Sequence, residues 1–89
     1  MLIDHDTVLS AFKADFDRCD DMFGYFTANI EGSPKIAYIE RRKNEYGCEY
    51  YVAKTPYAYD AYLWDEEALY SYLNDHTYAW TFHEGKAVA

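Results

Sequence analysis

Glycine is scarce in this 89-residue chain, and none of the four glycines lies within six residues of another. A loop that cradles phosphate needs several glycines close together, so a nucleotide-binding enzyme is disfavoured. Basic side chains are also few, because 8 Lys and Arg face 16 Asp and Glu, for a formal net charge of -8. Since nucleic acids and anionic membranes are bound through Lys and Arg, we expect neither as a direct partner.

Long apolar runs are missing, and no stretch approaches the roughly 20 residues that cross a bilayer. The opening Met-Leu-Ile-Asp-His-Asp has neither the basic start nor the apolar core of a signal peptide, so we expect a cytoplasmic protein. An apolar content of 51% predicts a folded chain, and the length predicts one domain, residues 1–89. The two cysteines, Cys19 and Cys48, are expected as reduced, packed thiols, although one disulfide stays an alternative.

No pattern of a catalytic or metal site is present. Cys19 lies among Asp17, Asp20 and Asp21, whose charges would raise the thiol pKa, and neither cysteine is flanked by an activating group. Neighbouring helical residues point about 100° apart, so Glu66 and Glu67 cannot act on one bond. We therefore predict no catalytic residue and no enzyme.

Histidines and carboxylates lie together at two places, Asp4-His5-Asp6 and His83-Glu84, but neither has the spacing of a structural zinc site. We predict no metal and no cofactor. His76 falls at the end of a predicted helix, where an imidazolium would interact well with the helix dipole.

Hydrophobic periodicity predicts an α+β domain. Helical spacing is found over residues 7–20 and 65–76, and alternation is found over 22–30, 35–42, 48–53, 57–63 and 78–82. The order is therefore helix, three or four strands, helix, strand, which predicts an antiparallel sheet of four to five strands with both helices on one face. The second helix has the clearest start: Asp65 as N-cap, Glu66 and Glu67 in the first turn, and Trp64 placed to pack on Leu69.

Tyrosine is the most distinctive component, with 11 residues. If the even-numbered residues of 22–30 face the core, Phe23 and Tyr25 point outward, and by the same alternation Tyr51 and Tyr62 do so in their strands. We expect exposed rings of this kind to be covered by a binding partner, by a second copy of the chain or by the second helix. Acidic side chains flank these strands, so a basic protein is the natural partner. The basic cluster Arg41-Arg42-Lys43 is interpreted as a solvated hairpin tip, with a seat for a phosphate or an acidic loop as the alternative.

In size, charge and aromatic content over its whole length, the chain resembles small phage-encoded inhibitors of bacterial defence, among them anti-CRISPR proteins and anti-restriction DNA mimics. The resemblance implies an inhibitor that acts in the host cytoplasm on a basic nuclease or a CRISPR effector. It implies phosphate-mimicking carboxylates at Asp17, Asp20, Asp21, Glu66 and Glu67, and contact rings at Tyr25, Tyr51 and Tyr62. The basic cluster departs from a pure DNA mimic.

Two other functions fit the same sequence. An immunity protein or antitoxin that neutralises a basic toxic enzyme would use the same charge complementarity. A ligand-binding or enzymatic domain would instead have a concave apolar pocket, lined by Tyr50, Tyr57, Tyr59 and Trp80.

Overall fold

The computed structural model describes residues 5–86, with side chains from residue 6 onward. Two helices and five strands follow in the order that the periodicity predicts, so the α+β class is confirmed. Their bounds are α1 His5–Arg18, β1 Met22–Ile30, β2 Ser33–Lys43, β3 Glu49–Lys54, β4 Ala61–Leu63, α2 Glu66–His76 and β5 Thr81–Glu84. Neither helix in this part of the chain is long and apolar enough to cross a membrane.

The five strands form one antiparallel sheet in the order β4-β3-β2-β1-β5. Strands β1 and β2 are joined by a two-residue turn in which Glu31 and Gly32 both have positive φ, 53° and 80°. Such a turn matches the right-handed twist of a hairpin. Strand β5 comes last in the chain but pairs with β1, so the segment containing α2 crosses from one edge of the sheet to the other.

The helices cover opposite faces of the sheet, and the prediction that both lie on one face is wrong. Phe16 of α1 packs in a cluster with Tyr38, whereas Leu69 of α2 packs with Ile39. Tyr38 and Ile39 are consecutive in β2, so their side chains point to opposite faces, and both are buried. The inner strands are therefore apolar on both sides, and each helix has its own core.

A β-bulge at the start of β1 breaks the predicted alternation of that strand. The register of β1 against β2 shifts between Met22 and Gly24, which places Met22 with the α1 cluster and Phe23 and Phe26 with the α2 cluster. The even-numbered residues of β1 therefore do not share one face, and the prediction that Phe23 points outward is wrong because it packs in the α2 cluster. A bulge of this kind re-aims the side chains on its two sides.

The start of α2 is as predicted, except for its aromatic neighbour. Asp65 is the N-cap, and its carboxylate accepts a hydrogen bond from the Ala68 amide at 2.8 Å. Trp64 does not pack on Leu69, which is buried on the α2 face, because Trp64 stacks on Tyr62 on the other face of the sheet. The predicted hydrophobic contact is therefore wrong.

The two outer strands are shorter than predicted. Strand β4 covers only Ala61–Leu63 of the predicted 57–63, and β5 begins at Thr81 instead of at Tyr78. The segments before them, 55–60 and 77–80, are irregular. Lys86 follows β5 and donates hydrogen bonds to the carbonyl oxygens of Asp17 and Cys19, both at 2.7 Å. These bonds connect the end of β5 to the end of α1.

Candidate protein-binding surface

The sheet topology brings carboxylates from distant parts of the sequence to one end of the domain. Strands β1 and β3 start at this end because both are antiparallel to β2, and β4 stops there because it is antiparallel to β3. The α1–β1 connection, the start of β3 and the first turn of α2 therefore meet at this end. We define the acidic end as seven of the exposed carboxylates located there: Asp17, Asp20, Asp21, Glu49, Asp65, Glu66 and Glu67.

Carboxylates of β3 and of α2 act on the same side chain, Tyr51, at the acidic end. Burial raises the pKa of the Tyr51 phenol, and the carboxylates of Glu49 and Glu66 raise it further. Glu49 lies at the start of β3, and Glu66 is the first residue of α2. Both charges act on one hydroxyl, so the two elements present their carboxylates together.

The predicted acidic residues differ in their pairing. Asp17 forms an ion pair with Lys13 at 2.7 Å, and Asp21 accepts a hydrogen bond from Nε of Arg41 at 2.8 Å. Within residues 6–86, Asp20, Glu66 and Glu67 have no ion pair. All five are exposed, so three of them keep a charge that an incoming cation can neutralise.

The basic cluster of β2 is largely neutralised within the chain. Arg41 pairs with Asp21, and the hydrogen bond between them raises the pKa of the Arg41 guanidinium. Arg42 pairs with Glu40 at 3.0 Å. Both arginines lie in β2 and are half-buried, and Lys43 is exposed at the strand end. The prediction of a fully solvated basic tip is therefore wrong for the two arginines.

The three predicted contact tyrosines lie in different environments. Tyr51 is 7% exposed in the α2 core, where its ring packs edge-on against Phe23, so the prediction that it points outward is wrong. Tyr25 is half-buried beside α1, between Phe16 and a stacked His83 ring 4.6 Å away. Tyr62 is 49% exposed and projects from β4 as predicted.

Next to Tyr62 lie two aromatic side chains that were not among the predicted contact rings. Trp64 stacks on Tyr62 with ring centroids 5.5 Å apart, and its other neighbour is Tyr50 at 5.2 Å. We call these three rings the aromatic ladder. Trp64 directly precedes Asp65, and Tyr50 directly follows Glu49, so the ladder borders the acidic end. The sequence signal was present as alternation of Tyr62 and Trp64, which places both rings on one face.

The aromatic ladder lies on a buried part of the sheet, and its outer side is exposed to solvent. Val52, the cross-strand partner of Tyr62, has 0% exposed surface, whereas Trp64 is 67% exposed. Helix α1 packs on the same face, but against the rings of Tyr25 and Tyr38, nearer to β5. The ladder is thus a patch of fixed, accessible rings on the half of the face beside β4.

Three of the four predicted pocket residues line one cavity on the opposite face of the sheet. Tyr57, Tyr59 and Trp80 border a space of about 310 Å³ beside α2, but Tyr59 is 99% exposed, and Tyr50 is not part of the lining because it points to the α1 face. Between residues 6 and 86 no group of three metal-ligating side chains is found, and Asp4 lies outside the described residues. Nε2 of His83 is hydrogen-bonded to the hydroxyl of Thr27, at 2.8 Å.

The two cysteines are free thiols with different surroundings. Cys19 is buried, and burial raises its thiol pKa, with a further increase from the Glu40 carboxylate. Cys48 is exposed in the β2–β3 turn, so the prediction of two packed thiols holds for Cys19 only.

Comparison with protein-family models, with curated proteins and with solved structures found no match for this chain.

Proposed function

We propose that the chain is a protein-binding inhibitor that blocks a basic, nucleic-acid-binding protein through the acidic end and the aromatic ladder. The observation that supports this most directly is that Asp20, Glu66 and Glu67, which have no ion pair within residues 6–86, lie at the same end of the sheet that the exposed rings of Tyr62 and Trp64 border. Carboxylates and aromatic faces are both partners of arginine, through ion pairs and through cation–π contact. The surface therefore suits a groove rich in arginine and lysine.

Charge favours a protein as the occupant over a nucleic acid. A net charge of -8 repels a phosphate backbone and attracts a protein that binds one. Attraction of this kind accelerates association and weakens as salt rises, because the Debye length shortens to about 8 Å at physiological ionic strength. Anti-CRISPR and related anti-defence inhibitors, which this chain resembles, provide a setting in which such a competitor is useful.

The aromatic ladder supplies the apolar part of the proposed contact. Tryptophan and tyrosine dominate the energetics of protein interfaces because a large rigid ring is buried at little loss of side-chain entropy. Trp64 is more exposed than Tyr62, and it directly precedes Asp65, the N-cap residue of α2. We therefore expect Trp64 to contribute more to affinity than any single carboxylate.

The test starts with capture from a phage-sensitive bacterial lysate at low and moderate salt, followed by identification of the bound protein. The identified protein is then purified, and its binding to its own nucleic acid is measured with and without the chain. Competition that weakens with salt supports the proposal. A small toxic enzyme as the bound protein would instead make the chain an immunity protein, and a partner that keeps its nucleic acid would refute inhibition by occlusion.

Matched variants locate the surface. Glu66→Gln with Glu67→Gln removes two charges at the acidic end and keeps the side-chain shape. Asp60→Asn with Asp75→Asn removes two exposed charges at the opposite end, because β4 starts and α2 stops there. We expect the first pair to weaken binding about tenfold or more and the second pair to leave it nearly unchanged.

A further inference from the structure

A cavity of about 310 Å³ lies on the α2 face, between the C-terminal half of α2, the sheet and the irregular segment 55–60. Its floor contains Ala37 of β2, next to Phe26 of β1, and Ala61 of β4. Larger side chains in the same sheet, Ile39 and Leu63, fill the space nearer the start of α2. The cavity therefore exists because small residues face a helix that ends at His76.

The walls of this cavity are aromatic. Tyr72 and His76 project from α2, Trp80 comes from the segment before β5, and Tyr57 stands at the rim. Trp80 packs edge-on against Phe26, with an interplanar angle of 85°. Burial raises the pKa values of Tyr57 and Tyr72, so both phenols are neutral at physiological pH. A flat, uncharged ring fits these surroundings.

One wall residue carries a hydrogen-bond acceptor. His76 stacks on Tyr72, with ring centroids 3.8 Å apart, and its Nδ1 lies 2.9 Å from the Tyr72 carbonyl oxygen. A carbonyl oxygen only accepts, so Nδ1 carries the hydrogen of this bond, and in the tautomer with hydrogen on Nδ1 the lone pair is on Nε2. In the described part of the chain, no group donates to Nε2.

We propose that the cavity is a binding site for a small planar aromatic molecule of one or two rings that bears an N–H or O–H donor for His76. Ligand cavities in proteins measure about 300–1,000 Å³, so this one is suited to the smallest class of ligand. Such a site is separate from the acidic end, because it lies beside the C-terminal half of α2 whereas Glu66 and Glu67 are in the first turn of that helix, and it is on the opposite face of the sheet from the aromatic ladder. It does not depend on the proposed inhibition.

Indole is a suitable probe, because benzofuran has the same shape but an oxygen in place of the N–H. Titration of the ¹⁵N-labelled chain, followed by amide chemical shifts, should show saturable indole binding with a Kd on the order of 0.1 to 1 mM. Shifts should centre on Ala37, Tyr72, His76 and Trp80. Benzofuran should bind about threefold to tenfold more weakly, the usual worth of one hydrogen bond.

Three variants test the assignment. His76→Phe keeps a ring stacked on Tyr72 but removes the acceptor, so indole and benzofuran should bind equally. Ala37→Leu fills the floor, and Ala58→Trp closes the exposed rim without touching the core, so either one should abolish binding. The control is Ala14→Leu, an exposed position of α1 on the other side of the sheet, which should change nothing.

The proposal is overturned by shifts that do not saturate or that centre away from the cavity. It is also overturned if Ala58→Trp binds indole as tightly as the unmodified chain, since that variant remains informative even if Ala37→Leu does not fold. Equal affinity for indole and benzofuran in the unmodified chain would overturn the role of His76 as acceptor.

Discussion

Replacing Gly24 by alanine tests how β5 is held against the sheet. A Cβ at this position would overlap Cζ of Phe82 and lie 2.8 Å from the carbonyl oxygen of His83. The Phe82 ring can rotate away, but the carbonyl belongs to the backbone of β5 and moves only with the strand. Because β5 pairs with β1 alone, we expect relief of the clash to displace β5 from the sheet edge.

The expected loss of stability can be judged from the packing of Phe82, a residue of β5. Phe82 packs 5.0 Å from Phe26 and 6.1 Å from Phe23, measured between ring centroids, so moving the strand disturbs the α2 core. Overpacking costs about 1–3 kcal/mol, and complete loss of a buried phenylalanine costs about 3–5 kcal/mol. We therefore expect Gly24→Ala to lower the free energy of unfolding by about 2–4 kcal/mol. A domain of this size has about 4–13 kcal/mol in total.

Urea unfolding followed by tryptophan fluorescence measures the change, with Gly47→Ala as control. Gly47 has φ of 81° but nothing within 4 Å of an added Cβ, so its substitution costs only the left-handed backbone, about 1 kcal/mol. In a Phe82→Ala background, Gly24→Ala should cost less but still something, because the His83 carbonyl remains. A loss of stability for Gly24→Ala no larger than that for Gly47→Ala would contradict a steric clash at Gly24.

Three further predictions concern single side chains. Asp65→Ala should lower the free energy of unfolding by about 1 kcal/mol and Asp65→Asn by much less, as measured in urea, because Asn also caps a helix. Burial raises the pKa of Tyr38 to about 12, so its contribution to stability is complete below pH 10 and lost as the pH rises through 12. Unfolding experiments over this range should show a smaller loss for Tyr38→Phe than for the unmodified chain. In native buffer, a thiol reagent should modify Cys48 quickly and Cys19 only on unfolding, and equal rates would contradict the burial of Cys19.

Features that depend on neighbouring residues could be predicted from the sequence. The cap at Asp65 was predicted because N-capping needs only the Ala68 amide three residues on. Strand β1 has its predicted bounds, Met22–Ile30, because a turn with Gly32 ends it. The element order followed from the same local signals.

The prediction that both helices lie on one face of the sheet was wrong because it assumed that the sheet has only one apolar face. Strand β2 contains four consecutive apolar residues, 36–39, and β3 contains another four, 50–53. Such runs are typical of strands buried on both sides, and that signal contradicted the alternation assigned to Tyr51. The bulge at Gly24 added a second error, because one extra residue reverses the faces that follow it.

The candidate surface depended on pairings that a linear sequence does not show. Glu49 and Glu66 are 17 positions apart, yet both act on the Tyr51 phenol, because β3, β4 and α2 meet at one end. Trp64 had two available partners, Leu69 by local spacing and Tyr50 across the sheet. In the structure Trp64 stacks on Tyr62 and packs against the tilted ring of Tyr50, on the face of the sheet opposite Leu69.

A binding surface at the acidic end is tested by the affinity of the captured partner for two variants of equal charge, at low and moderate salt. We predict that Glu66→Gln with Glu67→Gln binds about tenfold more weakly than Asp60→Asn with Asp75→Asn, and that the difference shrinks as salt rises. Equal affinities for the two variants would mean that net charge alone attracts the partner, and would contradict a binding surface at the acidic end.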